Sequence, residues 1–220
     1  MLALSRPPIE TLARTSLNKG RSGSRVTFFP SQKNRGPVAC NNLMQADYCV
    51  HLEYRHDVLS YQCRPAALRC GDTLYKADFL VRLDSGLIVY QKFLCSEGQR
   101  GSHTREWAQA VEAMLLDGGY VFRWLTPDLL APSLITHNLR FLYHYGFGCS
   151  RRAAKQVRAK VLALGRQGTT LKALLANDIP SQAICYAIFL DELRIDLRQK
   201  LTPQTVIYGG HDGLRSIQDR

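Results

Sequence analysis

The chain has 220 residues, 45% of them hydrophobic, enough to bury one medium core or two small ones. No run of about 18 apolar residues occurs, which argues against a membrane-spanning helix, and the N-terminus lacks the basic-then-apolar order of a secretory signal. The net charge of +11 is uneven: residues 1–40 carry seven Lys/Arg against one Glu, residues 149–220 twelve against six acids, and residues 41–148 ten against eleven.

A near-neutral middle between basic ends is the pattern of a nucleic-acid binder, because neutralising phosphates supplies most non-specific affinity. The seven cysteines are an odd set without a C-x-x-C pair. That spacing predicts buried thiols in a reducing compartment, and it speaks against a structural zinc site or a disulfide framework.

Residues 1–37 hold four prolines and little apolar periodicity, which predicts a basic, largely irregular arm wrapping on the core or on DNA. From Asn41 the spacing of Leu43, Met44, Tyr48, Cys49 and Leu52 predicts a helix capped by Asn41 or Asn42 and ending near Glu53 or Tyr54. Strands are expected over residues 58–63, 67–70, 75–83 and 87–94. Asp84-Ser-Gly86 reads as the turn of the last hairpin, which sets Asp78 and Lys92 on adjacent antiparallel strands.

An amphipathic helix over residues 104–117 buries Trp107, Val111, Met114 and Leu115, and Gly118-Gly119 stops it. A buried strand at 120–125 and a short helix capped after Thr126 follow, then a helix over 132–145. Residues 96–102 are Gly-rich but lack the G-K-[ST] ending of a phosphate loop. The six histidines show no metal-ligand spacing.

Beyond Gly148, helices are expected over 151–164, 170–175 and 180–193, then a loose hairpin over 194–207. Three short helices closed by a wing outline a winged helix. Arg151, Arg152, Lys155, Arg158 and Lys160 lie on overlapping faces of the first of these helices and are the candidate phosphate contacts.

The middle of the chain has the layout of a metal-dependent nuclease core: a helix, a strand bearing Asp78, and a strand ending in Lys92. Its blocks are ordered: Phe28-Phe-Pro-Ser-Gln-Lys-Asn34, Cys40-Asn-Asn42, Leu52-Glu-Tyr54, Asp57-Val58, Arg64-Pro65, Ala77-Asp-Phe-Leu-Val81, Tyr90-Gln-Lys92, Trp124-Leu-Thr126 and Asn138-Leu-Arg-Phe-Leu-Tyr-His-Tyr145. Over residues 25–145 this resembles TnsA, the endonuclease subunit of heteromeric transposases.

The resemblance implies an α/β fold with a restriction-endonuclease-like mixed-sheet core (PD-(D/E)xK type). Its domains would be an arm at 1–37, the nuclease-fold domain at 38–146 and a winged-helix-like domain at 147–220 with a disordered tail. It also implies Mg²⁺ held by a helix glutamate and the strand aspartate, with an [EQ]-x-K pair handling the attacking water. Aligned on Leu52-Glu-Tyr54, those positions fall on Gln45, Asp78, Tyr90 and Lys92.

Two of the four depart from the family. Gln45 keeps an oxygen but loses the charge that offsets dehydration of a hard divalent ion, and Tyr90 removes a second oxygen ligand. Asp78 alone is expected to bind Mg²⁺ weakly or not at all, with little metal hydroxide formed. Gln91 should face away from Lys92, Asp47 should face away from Gln45, and Glu53 suits a structural role.

Two readings follow. One is a catalytically impaired DNA-binding subunit that docks on a TnsB-like DDE transposase and duplex DNA, with a TnsC-like ATPase as a further possible partner, in the bacterial cytoplasm near the nucleoid. The other is an active Mg²⁺-dependent endonuclease nicking transposon ends.

Overall fold

The computed structural model describes residues 9–13, 26–93, 105–126, 133–164 and 168–209. The Gly-rich turn at 96–102, the short helix after Thr126, Cys95, His103, His211 and the C-terminal tail lie outside them. The fold is mixed α/β, and its contacts divide it into two units, residues 1–131 and 132–220.

In the first unit β1 (Glu10–Thr11), β2 (Thr27–Ser31) and β3 (Gly36–Cys40) precede helix α1 (Leu43–Tyr54). The arm expected to be irregular is therefore strand wherever it pairs. β1 joins β5 (Leu68–Cys70), which pairs with β6 (Thr73–Tyr75), while β2 and β3 form a two-stranded ribbon. Pro30 stands opposite Pro37 in that ribbon, so prolines that read as breakers sit at one paired position. Its turn closes with the Arg35 N–H donating to the Gln32 carbonyl at 3.2 Å, and Arg35 takes φ 53°.

The central sheet runs β4 (Val58–Cys63), β7 (Phe79–Leu83), β8 (Ile88–Phe93) and β9 (Val121–Leu125) in that spatial order. The first two pairings are antiparallel, and β8 pairs β9 in parallel after the excursion through α2 (Arg105–Asp117). The strand expected over 75–83 is thus broken at residues 76–78, and the break carries Asp78. Gly86 supplies the positive φ, 84°, of the β7–β8 turn.

Alternation along the strands builds two apolar layers. Phe79, Val81, Val89, Gln91 and Phe93 are buried, and the Tyr48 ring of α1 packs edge-on against Phe79 and Phe93 at 5.1 and 5.5 Å. Tyr90, Phe122 and Trp124 pack instead against a cluster of Leu68, Tyr75, Ala77, Val111, Met114 and Leu115.

A buried carboxylate ties the ribbon to α1. Glu53 Oε1 accepts from Ser31 Oγ at 2.5 Å and from the Tyr61 hydroxyl at 2.8 Å. Its Oε2 accepts from the Lys33 N–H at 3.3 Å, and the Lys33 ammonium donates to the carbonyls of Leu52 in the last turn of the helix and Arg55 just beyond it. Burial pushes the Tyr61 phenol well above its ordinary range, so it stays a donor.

The second unit begins with α3 (Leu134–Gly146), followed by α4 (Arg151–Ala163), β10 (Thr169–Thr170), α5 (Leu171–Ala176), α6 (Ser181–Phe189), β11 (Leu193–Arg194) and β12 (Val206–Gly209). The boundary expected at 146/147 is displaced, because α3 packs on α6 and belongs with the C-terminal unit. Gly146 makes that approach possible: a Cβ there would lie 2.8 Å from the Tyr186 backbone nitrogen. The expected hairpin over 194–207 pairs only through residues 193–194 and 208–209, and β10 pairs with residues 206–207 as a third strand in the order β10-β12-β11. Asn138 holds the intervening loop by donating to the Leu197 and Gln199 carbonyls at 2.9 and 2.8 Å.

Candidate functional site

The start of α1 places Gln45. Asn42 caps the helix by accepting from the Gln45 N–H at 2.8 Å, and Gln45 Oε1 accepts in turn from the Asn41 N–H at 2.8 Å. This is a capping box displaced by one residue, legible in the Asn42-x-x-Gln45 spacing as a structural role that metal-site reasoning passed over. The other end of the amide is also used: Gln45 Nε2 donates to Asp78 Oδ1 at 3.2 Å.

Asp78 sits in the break just before β7, held from one side by β8 and from the other by the residue that follows β4. Its N–H donates to the Gln91 carbonyl and its carbonyl accepts from the Arg64 N–H, both at 2.8 Å. Its Oδ2 accepts from the Phe93 N–H at 2.9 Å. Each carboxylate oxygen therefore has a protein donor.

Lys92 comes to the same junction by another route, its ammonium donating to the Lys76 carbonyl at 2.8 Å. Gln91 turns to the opposite face, where it is buried and accepts from the Tyr48 hydroxyl at 2.8 Å, as the alternation requires. Burial pushes that Tyr48 phenol up to about 12.

Tyr90 shares a face with Lys92 but belongs to the aromatic layer, its ring 5.5 Å from Tyr120 in an edge arrangement. Burial first, and Tyr120 second, raise its phenol above the ordinary value. The four sequence-derived positions thus split. Gln45 and Asp78 meet at the end of the sheet, the Lys92 ammonium rests on the Lys76 carbonyl, and Tyr90 packs against the cluster that holds Val111, Met114 and Leu115 of α2.

The donors fit Mg²⁺ poorly. A hard divalent ion is held by carboxylates and water, and here one carboxylate faces a neutral amide whose N–H, not its oxygen, points at it. The neighbouring acid able to compensate, Glu53, is committed to Ser31, Tyr61 and Lys33.

On α4, Ser150 caps the helix and Ala154, Val157 and Val161 bury one stripe. Arg151, Arg152 and Lys155 stand exposed on the other side and line one shallow concavity with Gln156 and Ala159. Lys160 is exposed as well. Arg158 is set apart, since its guanidinium lies 3.6 Å from the Glu192 carboxylate.

Three cysteines that look scattered in the chain converge in the first unit. Cys40 ends β3, Cys49 lies on α1 and Cys63 ends β4. Their Sγ atoms lie within 4.8 Å of one another, and all three are buried. Linear spacing missed them because each comes from a different element. No family model matches the chain, and no curated protein matches it.

Proposed function

We propose that this chain is a TnsA-like DNA-binding subunit of a transposition system, in which a restriction-endonuclease-like core keeps its architecture and has lost its metal chemistry. The observation that carries the reading is the Gln45–Asp78 hydrogen bond. An amide N–H occupies the side of the carboxylate where a metal-binding site needs a second anionic oxygen. Lys92 donates to the Lys76 carbonyl, two residues before Asp78, and Tyr90 contributes aromatic packing where an acceptor for the attacking water is needed.

The C-terminal unit would serve as the winged-helix-like DNA module, with Arg151, Arg152, Lys155 and Lys160 on duplex phosphates. A DDE-type transposase is the docking partner proposed, with an ATPase regulator beside it. The order of sequence blocks over residues 25–145 supports this assignment. The competing reading, an active Mg²⁺-dependent nickase, rests on the retained Asp78 and Lys92.

Supercoiled plasmid incubated with the protein, its partner transposase and Mg²⁺ separates the two. The pseudo-nuclease reading expects no nicking by the natural chain and Mg²⁺-dependent nicking by Gln45→Glu combined with Tyr90→Gln. Nicking by the natural chain that Asp78→Ala abolishes would establish the active enzyme instead.

A further inference from the structure

Cys40, Cys49 and Cys63 reach one point from three separate elements, β3, α1 and β4. Cys40 Sγ lies 3.7 Å from Cys49 Sγ and 3.8 Å from Cys63 Sγ, and their exposures are 0, 0 and 1%. A tetrahedral ion bonded to thiolates at about 2.3 Å holds neighbouring sulfurs about 3.8 Å apart, which is the spacing of Cys40 from each of the other two, while Cys49 and Cys63 lie within 4.8 Å of one another.

Charge and softness restrict the ion. Thiolates select soft or borderline cations over Mg²⁺ or Ca²⁺. Three thiolates around a divalent ion leave one net negative charge, and Arg64, whose positive charge acts on Cys40, offsets it. No fourth His, Cys, Asp or Glu joins the group among the described residues. The remaining corner is left to a solvent ligand, and a groove whose lining includes Val38, Ala39, Gln62 and Cys63 runs beside the group.

We propose that Cys40, Cys49 and Cys63 form a structural site for a zinc-like divalent cation, stapling the β2–β3 ribbon and α1 to the edge of the central sheet. Binding forms three metal–sulfur bonds and releases the thiol protons to solvent, with no change of oxidation state. The site is independent of the nuclease-derived positions, so it stands whether or not the proposed function does.

Cd²⁺ is the probe, added to the full chain after chelation under a phosphine reductant. The expected result is a sulfur-to-cadmium charge-transfer band that saturates at one ion per chain, together with a raised melting temperature that excess chelator reverses. Cys49→Ser should remove the band, and Cys70→Ser, Cys95→Ser and Cys185→Ser should keep it. If Cys49→Ser fails to fold, the natural chain still decides. A folded natural chain with no saturable band, or a band lost in one of the three control variants, overturns the site in favour of packed neutral thiols.

Discussion

Gln45 and Asp78, 33 residues apart in sequence, meet through a 3.2 Å hydrogen bond from the glutamine amide to the aspartate carboxylate. The same side chain accepts from the Asn41 N–H, so one buried residue both caps α1 and holds the sheet-end acid. A glutamate could accept from the Asn41 N–H, but it would set two carboxylates face to face. Glutamine, with an acceptor at one end and a donor at the other, serves both contacts.

Removing that amide should be felt in stability. Gln45→Leu strips a donor from Asp78 and leaves the Asn41 N–H without its acceptor, and the expected loss is about 1–3 kcal/mol. Urea denaturation followed by circular dichroism measures it. An unchanged midpoint would mean that water replaces both contacts.

Glu53 is predicted to matter more. Ser31, Tyr61 and the Lys33 N–H all converge on its carboxylate, so Glu53→Ala should cost about 2–4 kcal/mol through orphaned hydroxyls and a cavity. Glu53→Gln should cost less, since both hydroxyls can rotate to accept. The two denaturation midpoints test the order.

On α4, Arg151, Arg152 and Lys155 share one concavity while Arg158 is paired with Glu192. If this face meets duplex DNA, each of the first three replaced by Ala should take about 0.9 from the slope of log affinity against log salt. Arg158→Ala should leave the slope nearly unchanged. Fluorescence anisotropy across a salt series reads both, and equal effects at all four positions would argue against a localised phosphate contact.

Stability should also rise with pH through the histidine range. Burial lowers His51 below its ordinary 6.5. The unfolded chain therefore takes up the proton first, so the contribution is whole above about 6.5 and is lost as pH falls toward the folded value. The slope should stay well under the roughly 1.4 kcal/mol per pH unit of one uncompensated proton. His51→Gln should flatten it in denaturation series run between about pH 5 and 7.

Much of the local structure was legible in the sequence. Apolar spacing located α1, α2 and α4 within a residue or two, Asp84-Ser-Gly86 marked the β7–β8 turn, and alternation along β8 set Gln91 opposite Lys92. These features depend on neighbours a few residues apart, where periodicity and turn chemistry suffice. The β2–β3 ribbon escaped because its prolines mimic loop composition, and they are tolerated only where Pro30 and Pro37 oppose each other.

The sequence by itself determined which side chains were at hand: Asp78 and Lys92 near the ends of paired strands, a basic helix, and the neutral side chains Gln45 and Tyr90. Only the tertiary structure decided what those side chains do. It turned the Gln45 amide onto Asp78, packed Tyr90 against the cluster that includes α2, withdrew Arg158 into an ion pair and gathered Cys40, Cys49 and Cys63 from three elements. Such meetings depend on register and crossing geometry summed over many residues, which no short window of sequence contains.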